Sequence, residues 1–404
     1  MSRVFEPYDV AVAGAGISGL VCALALKRAG LRVAVIESAG YVGGTIASAS
    51  RDGCIADGGP QTFSITSEFA ELVQSLDCAQ SLERAKARPA MFIASRGRLA
   101  HAPVGPAAFL GSPLLAPWEK ARVLVEPLIG ARAVDDDESL ADFAARRGGR
   151  AIVDALVRPM VAGIFAGDPA RTSVRSAFPR LVEYERRYTS VMIGAVASRR
   201  NGGRRPPACN LRGGNASLPL AIAAELGLEV RLDAPVVECL LRGAHIELAY
   251  GGSRPGSVVA RHAVLALPAY ASGSLLRRLE PEAAAALAAI PYAPIAQVAL
   301  SYPRTAIGYF NQRRDENGPA SRSAGFGFLT GARSGLRVLG CAWNSEMFDD
   351  RCPPDRSLLT AFLGGVGDPD ALTLGDDELV RVAHNDLARV MRIADSPTVI
   401  AGFR

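Results

Sequence analysis

Three glycines near the N-terminus carry the first chemistry that can be read from this chain. In GAGISGL, Gly14, Gly16 and Gly19 follow the apolar run Tyr8 to Ala13 and open a helical run, Leu20 to Ala29. At this spacing the first glycine allows a tight turn, the second lets backbone approach a pyrophosphate, and the third brings helix and strand together. The phosphates then rest on the helix N-terminus, beside Ile17 and Ser18. A second strand-like run, Leu31 to Ile36, ends at Glu37, eighteen residues after Gly19, and Ser38 follows it. From there a carboxylate can accept hydrogen bonds from both hydroxyls of an adenosine ribose. Three glycines alone say little. With both strands, the helix and Glu37, they predict a βαβ unit that binds a dinucleotide.

Which dinucleotide is suggested by what comes next. Gly43 and Gly44 favour a second close backbone approach to an extended cofactor, and DGGP, Asp57 to Pro60 with Gly59 at its bend, supplies another. This pattern suits FAD, although two adjacent glycines also make ordinary surface turns. The four histidines (His101, His245, His262, His384) are scattered without metal-ligand spacing, no metal site is expected, and no serine sits in a nucleophile elbow. The missing acid/base dyad does not argue against redox chemistry, because a flavin takes a hydride itself and needs protein for orientation, electrostatics and exclusion of water.

The elements that must position such a site fit a large chain. Its 404 residues, 49% hydrophobic, can fill two or three domains. A net charge of +5 is no nucleic-acid signature, but it is unevenly spread. Between Arg146 and Arg205 thirteen arginines face only Asp154, Asp168, Glu183 and Glu185, so this stretch is the basic part. It can attract anionic lipid headgroups, guide a substrate carrying carboxylates, or be a solvated face. Seven cysteines (Cys22, Cys54, Cys78, Cys209, Cys239, Cys341, Cys352), an odd number without metal spacing, suggest reduced thiols in a cytoplasmic setting. The uncharged run Val10 to Leu26 lacks a charged lead-in and a cleavage site, and reads as strand, turn and helix. A second, Ala283 to Pro303, is long enough to cross a bilayer but is alanine-rich and broken by Pro291 and Pro294, which favours a soluble core.

From Ser139, the spacing of Leu140, Phe143, Ala144, Ile152, Ala155 and Leu156 is helical, with the acids Asp135 to Glu138 where a helix N-terminus favours them. The polar cluster Asn201 to Pro207 is the best boundary candidate, and strands are expected again at Leu228 to Leu232, Val236 to Leu241 and Ala263 to Leu267. No fixed repeat appears.

The order GAGISGL, E-S-x-x-Y-V-G-G, DGGP resembles the front of the FAD-dependent protoporphyrinogen and coproporphyrinogen oxidases, which share it with amine oxidases and phytoene desaturases. More specific is GIFAGDP, Gly163 to Pro169, followed by Thr172, Ser173, Ala177, Phe178 and Pro179, then Glu185 and Ser190, which looks like a signature of these oxidases. Further blocks (Arg212 to Gly227, Val264 to Ala271, Ile290 to Val298, Gly325 to Leu329, Leu358 to Gly365) keep the family's order. The resemblance implies an α/β plus α+β protein in three parts. These are a Rossmann-like FAD-binding domain (1–80 and 208–275), a helical membrane-associating region (96–205) and a mixed-sheet substrate domain (81–95 and 276–404).

It also implies FAD as cofactor, contacted by Gly14, Gly16, Ile17, Ser18, Gly19, Glu37, Ser38, Gly43, Gly44, Gly59, Pro60 and Val237, and a tetrapyrrole substrate near Gly163, Gly167 and Phe326. The implied reaction is oxidation of a porphyrinogen, protoporphyrinogen IX or coproporphyrinogen III, with oxygen as acceptor. A homodimer, and a cytoplasmic protein with peripheral membrane contact, are family expectations. Tyr41 stands where the family usually has an arginine near the cofactor. Met91 stands where many members carry an arginine for a substrate propionate, with Arg88 and Arg96 nearby. The sequence ends at IAGFR, where members continue into a further glycine-rich flavin contact, so weakened FAD affinity is expected. An amine oxidase or carotenoid desaturase on the same fold, and an inactive porphyrin- or partner-binding derivative, are the competing readings.

Overall fold

A computed structural model describes residues 6–86, 90–103, 105–131, 137–200, 206–317 and 325–404. The chain divides into two compact units, one formed by residues 1–49, 57–83 and 209–292, the other by 50–56, 84–208 and 293–404.

The first unit is built on a six-stranded sheet. Its order is Val230–Arg231, Val33–Ile36, Tyr8–Ala13, Gly256–Leu265, His245–Tyr250, Val236–Arg242. The first four strands are parallel and the last three antiparallel, with Val10 opposite Val33 and Ala13 opposite Ile36. Because successive side chains point to opposite faces, Val10, Val12, Val33 and Val35 pack with Leu20 and Leu24 of the helix Ile17–Arg28 and with Ile222 of the helix Ser217–Leu226. Ala11, Ala13, Ala34 and Ile36 face the other core, with Leu248 and Val258. Burial on both faces is why these strands read as continuous apolar runs rather than alternating ones. The expected strand at Ala263–Leu267 begins earlier, at Gly256, because Gly256 to Ala260 pair with the hairpin partner His245–Tyr250.

The second unit holds a seven-stranded mixed sheet in the order Thr398–Phe403, Ile295–Pro303, Arg356–Gly364, Gly340–Ala342, Gly327–Thr330, Met91–Ser95, Arg98–His101. Gly327–Thr330 pairs with Met91–Ser95 in parallel and the other pairs are antiparallel. Phe92, Tyr302, Phe310, Phe328 and Trp343 fill its core against Leu379, Ala383 and Leu387 of the helix Asp376–Met391. Ala283–Pro303 resolves into a short helix, Pro281–Ala288, and the buried strand Ile295–Pro303.

The same unit contains the helices of the middle stretch. Ser139 caps Leu140–Gly148 by accepting from the Asp142 amide at 3.0 Å. Of the acids expected before it, Asp135 and Asp136 lie outside the described residues, as do 201–205 of the boundary cluster. Pro159 has no amide hydrogen to give, and a wider, π-helical turn, Val153–Val157, precedes the helix Arg158–Phe165. Leu140, Phe143, Val157, Val161 and Val174 form this region's apolar core. Beside it the buried Arg147 donates to Glu126 (3.0 Å) and Glu185 (2.9 Å), and Arg146 donates to Glu185 and Glu138. Burial opposes ionisation of Glu185, but the bonds from both arginines outweigh it and hold its pKa below the usual carboxylate value.

One expectation is corrected here. Cys54 and Cys352 are joined in a disulfide across 298 residues of sequence, while Cys22, Cys78, Cys239 and Cys341 keep free thiols. Local spacing could not show this pair, because it is made by packing the segment 50–56 beside the loop before the strand Arg356–Gly364.

Candidate flavin-binding site

Each fingerprint glycine has a different physical duty. Gly14 has φ +102°, and a Cβ there would stand 2.6 Å from the Ala266 carbonyl oxygen. A Cβ on Gly19 would stand 2.0 Å from the Gly14 carbonyl oxygen, so this glycine sets the approach of helix to turn. A Cβ on Gly16 would meet nothing within 4 Å. Gly16 is also the N-cap of Ile17–Arg28, no side chain caps that end, and no acid occupies the first turn. The open space therefore faces the uncapped amide end that begins at Ile17 and Ser18, which is what a pyrophosphate requires.

Glu37 braces the turn from the next strand. One carboxylate oxygen accepts from the Ala15 amide at 2.7 Å, the other from the Ala39 amide at 2.8 Å and from the Ser38 hydroxyl at 3.0 Å. Each oxygen retains lone-pair capacity, so the group is oriented and still able to accept from ribose hydroxyls. Gly43 donates its amide to the Ala15 carbonyl at 2.8 Å, and a Cβ on Gly44 would come to 3.4 Å from the Gly16 Cα. The second glycine pair is thus laid against the first cluster rather than forming an isolated surface turn.

The DGGP bend is tied in by residues that the sequence did not single out. Buried Asp57 accepts from the Ser48 hydroxyl (2.6 Å) and the Asn215 amide (2.8 Å), and the Asn215 side chain donates to the Pro60 carbonyl (3.0 Å). Gly59, at φ +69°, passes the Thr45 carbonyl so closely that a Cβ would stand 2.5 Å from it. Asn215 lies in RGGN, recognised as a family block, so its presence was signalled but its bond to Asp57 was not. Val237 is 64% exposed and lies where a bulge shifts the register between Val236 and Glu238. The segment leading to it is anchored to Glu37, whose carbonyl accepts from the Ala234 amide at 2.8 Å. Tyr41 is 59% exposed.

The residues expected at the substrate lie in the second unit. A Cβ on Gly163 would stand 2.3 Å from Leu329, so its bare face is filled by the neighbouring strand. Gly167 lines a pocket of about 590 Å³. Phe326 packs with Ala342, Met347 and Phe348. Met91 begins a strand, opposite Gly327, and Arg96 occupies the hairpin tip with φ +50° beside Gly97 at φ +73°. Arg88 lies outside the described residues. Of the histidines, His384 meets the buried Tyr302 hydroxyl at 3.1 Å, and burial lowers its pKa.

Residues 17–403 match the family described as flavin containing amine oxidoreductase. The chain belongs to this family. It is 29% identical over 427 residues to the mitochondrial protoporphyrinogen oxidase of Nicotiana tabacum, covering 97% of this chain and 82% of that one. It is 25% identical over 409 residues to the coproporphyrinogen III oxidase of Bacillus subtilis, covering 96% and 84%. The crystal structure of a proposed protoporphyrinogen oxidase from Exiguobacterium sp. 255-15 superposes with a TM-score of 0.82 at 22% identity, covering 98% of this chain and 86% of that one, a likeness of fold.

The cofactor of this flavin-containing amine oxidoreductase is FAD. The residues present fit it on structural grounds: the space a Gly16 Cβ would enter, the uncapped helix and the oriented Glu37 carboxylate match a pyrophosphate and a ribose. When bound, FAD supplies a two-electron acceptor for hydride. The chain itself supplies position, through the Gly43–Ala15 and Asp57–Asn215 ties.

Proposed function

We propose that this FAD-dependent oxidase converts a porphyrinogen, protoporphyrinogen IX or coproporphyrinogen III, to the porphyrin in heme biosynthesis. The observation that carries the reading is similarity over nearly the whole chain to two relatives named for these substrates. Overall the substrate loses six electrons and six protons, as hydride to FAD and protons to solvent, with oxygen as the final acceptor. In this reading Gly14, Gly16, Ile17, Ser18 and Gly19 hold the pyrophosphate, Glu37 and Ser38 the ribose side, and Gly43, Gly44, Gly59 and Pro60 the extended body of FAD. Val237 takes the adenine end, and Gly163, Gly167 and Phe326 belong to the substrate side.

The proposal extends to a cytoplasmic homodimer in peripheral contact with a membrane. Support for the contact comes from Leu110, Trp118, Leu124 and Leu128, exposed by 52%, 74%, 52% and 86% in the helical stretch that also carries the exposed Arg171, Arg180 and Arg187. Among the described residues no helix is long and apolar enough to cross a membrane.

The test is an absorbance spectrum of the purified chain followed by anaerobic addition of each porphyrinogen. Bleaching of bound flavin by one or both, with porphyrin appearing when air is admitted, is the expected result. Retained flavin that neither porphyrinogen bleaches would overturn it.

A further inference from the structure

The hairpin formed by Ser48–Arg51 and Cys54–Asp57 is a two-stranded sheet of its own. Two strands alone are marginal in water, so a fastening from outside the hairpin is needed. Its tip, within residues 50–56, belongs to the second unit, where Cys54 is bonded to Cys352. Beside the disulfide, a Cβ on Gly53 would come to 3.0 Å from Pro353, and Arg51 donates to the Val399 carbonyl at 3.0 Å. The two ends of the hairpin, Ser48 and Asp57, belong to the first unit. There the Ser48 hydroxyl accepts from the Ala216 amide at 3.0 Å and donates to Asp57 at 2.6 Å. Asp57 opens the DGGP bend and closes the same strand that Cys54 begins.

The two sulfurs are not equivalent. Cys54 is fully buried, at 0% exposure, whereas Cys352 retains 9% and is followed by the exposed Pro354 and Asp355. The buried Ser301 hydroxyl lies 3.4 Å from the Cys54 sulfur and 3.9 Å from that of Cys352. It accepts from the Arg356 Nε at 2.8 Å, so its own hydrogen is left to face a sulfur. A thiolate released at Cys54 therefore meets a hydroxyl donor backed by a guanidinium, and a sulfur stabilised in this way leaves readily.

We propose that the Cys54–Cys352 pair is a reversible redox-modification site, through which a dithiol lowers the affinity of the chain for FAD. A thiolate of the dithiol attacks the Cys352 sulfur and the bond to Cys54 breaks, Cys54 leaving as a thiolate that takes up a proton. The second thiol of the reagent then displaces Cys352 from the mixed disulfide. Both protein cysteines end as thiols and the dithiol ends as a disulfide, having supplied two electrons and two protons. Freed at its tip, the hairpin no longer holds Ser48 and Asp57 against Asn215 and Ala216, and the DGGP bend loses its place along FAD. In the cytoplasmic setting proposed above, a protein disulfide is characteristically such a transient, redox-sensing bond.

The test reads bonds and FAD binding in the full chain, and so stands apart from the porphyrinogen and cytoplasmic readings. Alkylation of free thiols without reduction, followed by peptide mass mapping, should find Cys54 and Cys352 in one cross-linked pair. Fluorescence titration should show FAD at least about tenfold weaker after dithiothreitol, with the original affinity restored by oxidised glutathione. The double variant Cys54→Ala, Cys352→Ala should bind FAD as the reduced parent does, with or without dithiothreitol. Ser301→Ala should keep the disulfide and slow its reduction at least about threefold, followed by the alkylation of Cys54. Cys54 and Cys352 alkylated as free thiols even after glutathione oxidation would overturn the proposal. So would an FAD affinity that dithiothreitol leaves unchanged, a dithiothreitol response of equal size in the double variant, or an unchanged reduction rate in Ser301→Ala. Affinity that fails to return on reoxidation would overturn it too, since unfolding rather than a switch would then account for the loss.

Discussion

The two glycine-rich motifs of this chain solve opposite problems. In the fingerprint, Gly16 removes a side chain so that space stays empty for a ligand, while Gly14 and Gly19 remove theirs so that backbone can close on backbone. In GIFAGDP, Gly163 resembles Gly19 more than Gly16: its missing Cβ admits Leu329, a neighbour from the chain itself. The two motifs look equally chemical as sequence, and only the neighbours distinguish a cradle from a packing contact.

The largest expected effect concerns what holds the helices that carry the second motif. Arg147→Met leaves Glu126 and Glu185 buried without their shared cation, and should destabilise the protein by about 3–5 kcal/mol in urea unfolding. The same network predicts acid sensitivity. Because the folded pKa of Glu185 is depressed, its contribution is present above the unfolded value, roughly 4.3, and is lost as pH falls through the folded value. Helix loss below about pH 4 should therefore be smaller in a variant already lacking Arg147, as circular dichroism would show.

Next comes Gly19→Val, whose branched side chain cannot fit against the Gly14 carbonyl. A cost of about 3 kcal/mol and loss of retained flavin are expected, checked by thermal melts and the absorbance spectrum. Glu37→Gln keeps the shape but gives up one of two acceptor oxygens. It should weaken FAD by about 10–100-fold in a fluorescence titration, equivalent to one charge-assisted hydrogen bond.

The smallest effects sharpen the comparison most. Gly163→Ala meets the end of the flexible Leu329 side chain and should cost about 1 kcal/mol with FAD affinity unchanged. Gly16→Ala should leave the stability of the flavin-free chain within about 0.5 kcal/mol, yet weaken FAD at least about tenfold. If Gly16→Ala instead destabilised the flavin-free chain as Gly19→Val does, the cradle assignment would fail.

Much of the flavin side was legible because its signals are local. The βαβ unit lies within 36 residues, and Glu37 reaches Ala15 from the adjacent strand. Ties over long stretches of chain were not legible: in the first unit Asp57 meets Asn215 across 158 positions, and in the second Cys54 meets Cys352 across 298. Val237 was expected among the cofactor contacts, and its bulge and exposure followed from pairing with a strand that local pattern does not report.

By itself the sequence determined the strand–turn–helix, its glycines, the acid that follows and the order of family blocks, because backbone stereochemistry and side-chain periodicity act over a few residues. The tertiary structure decided which missing side chains leave room for a ligand and which admit a neighbour, and which cysteines pair. Those outcomes depend on contacts between distant segments, and such contacts leave no imprint on spacing along the chain.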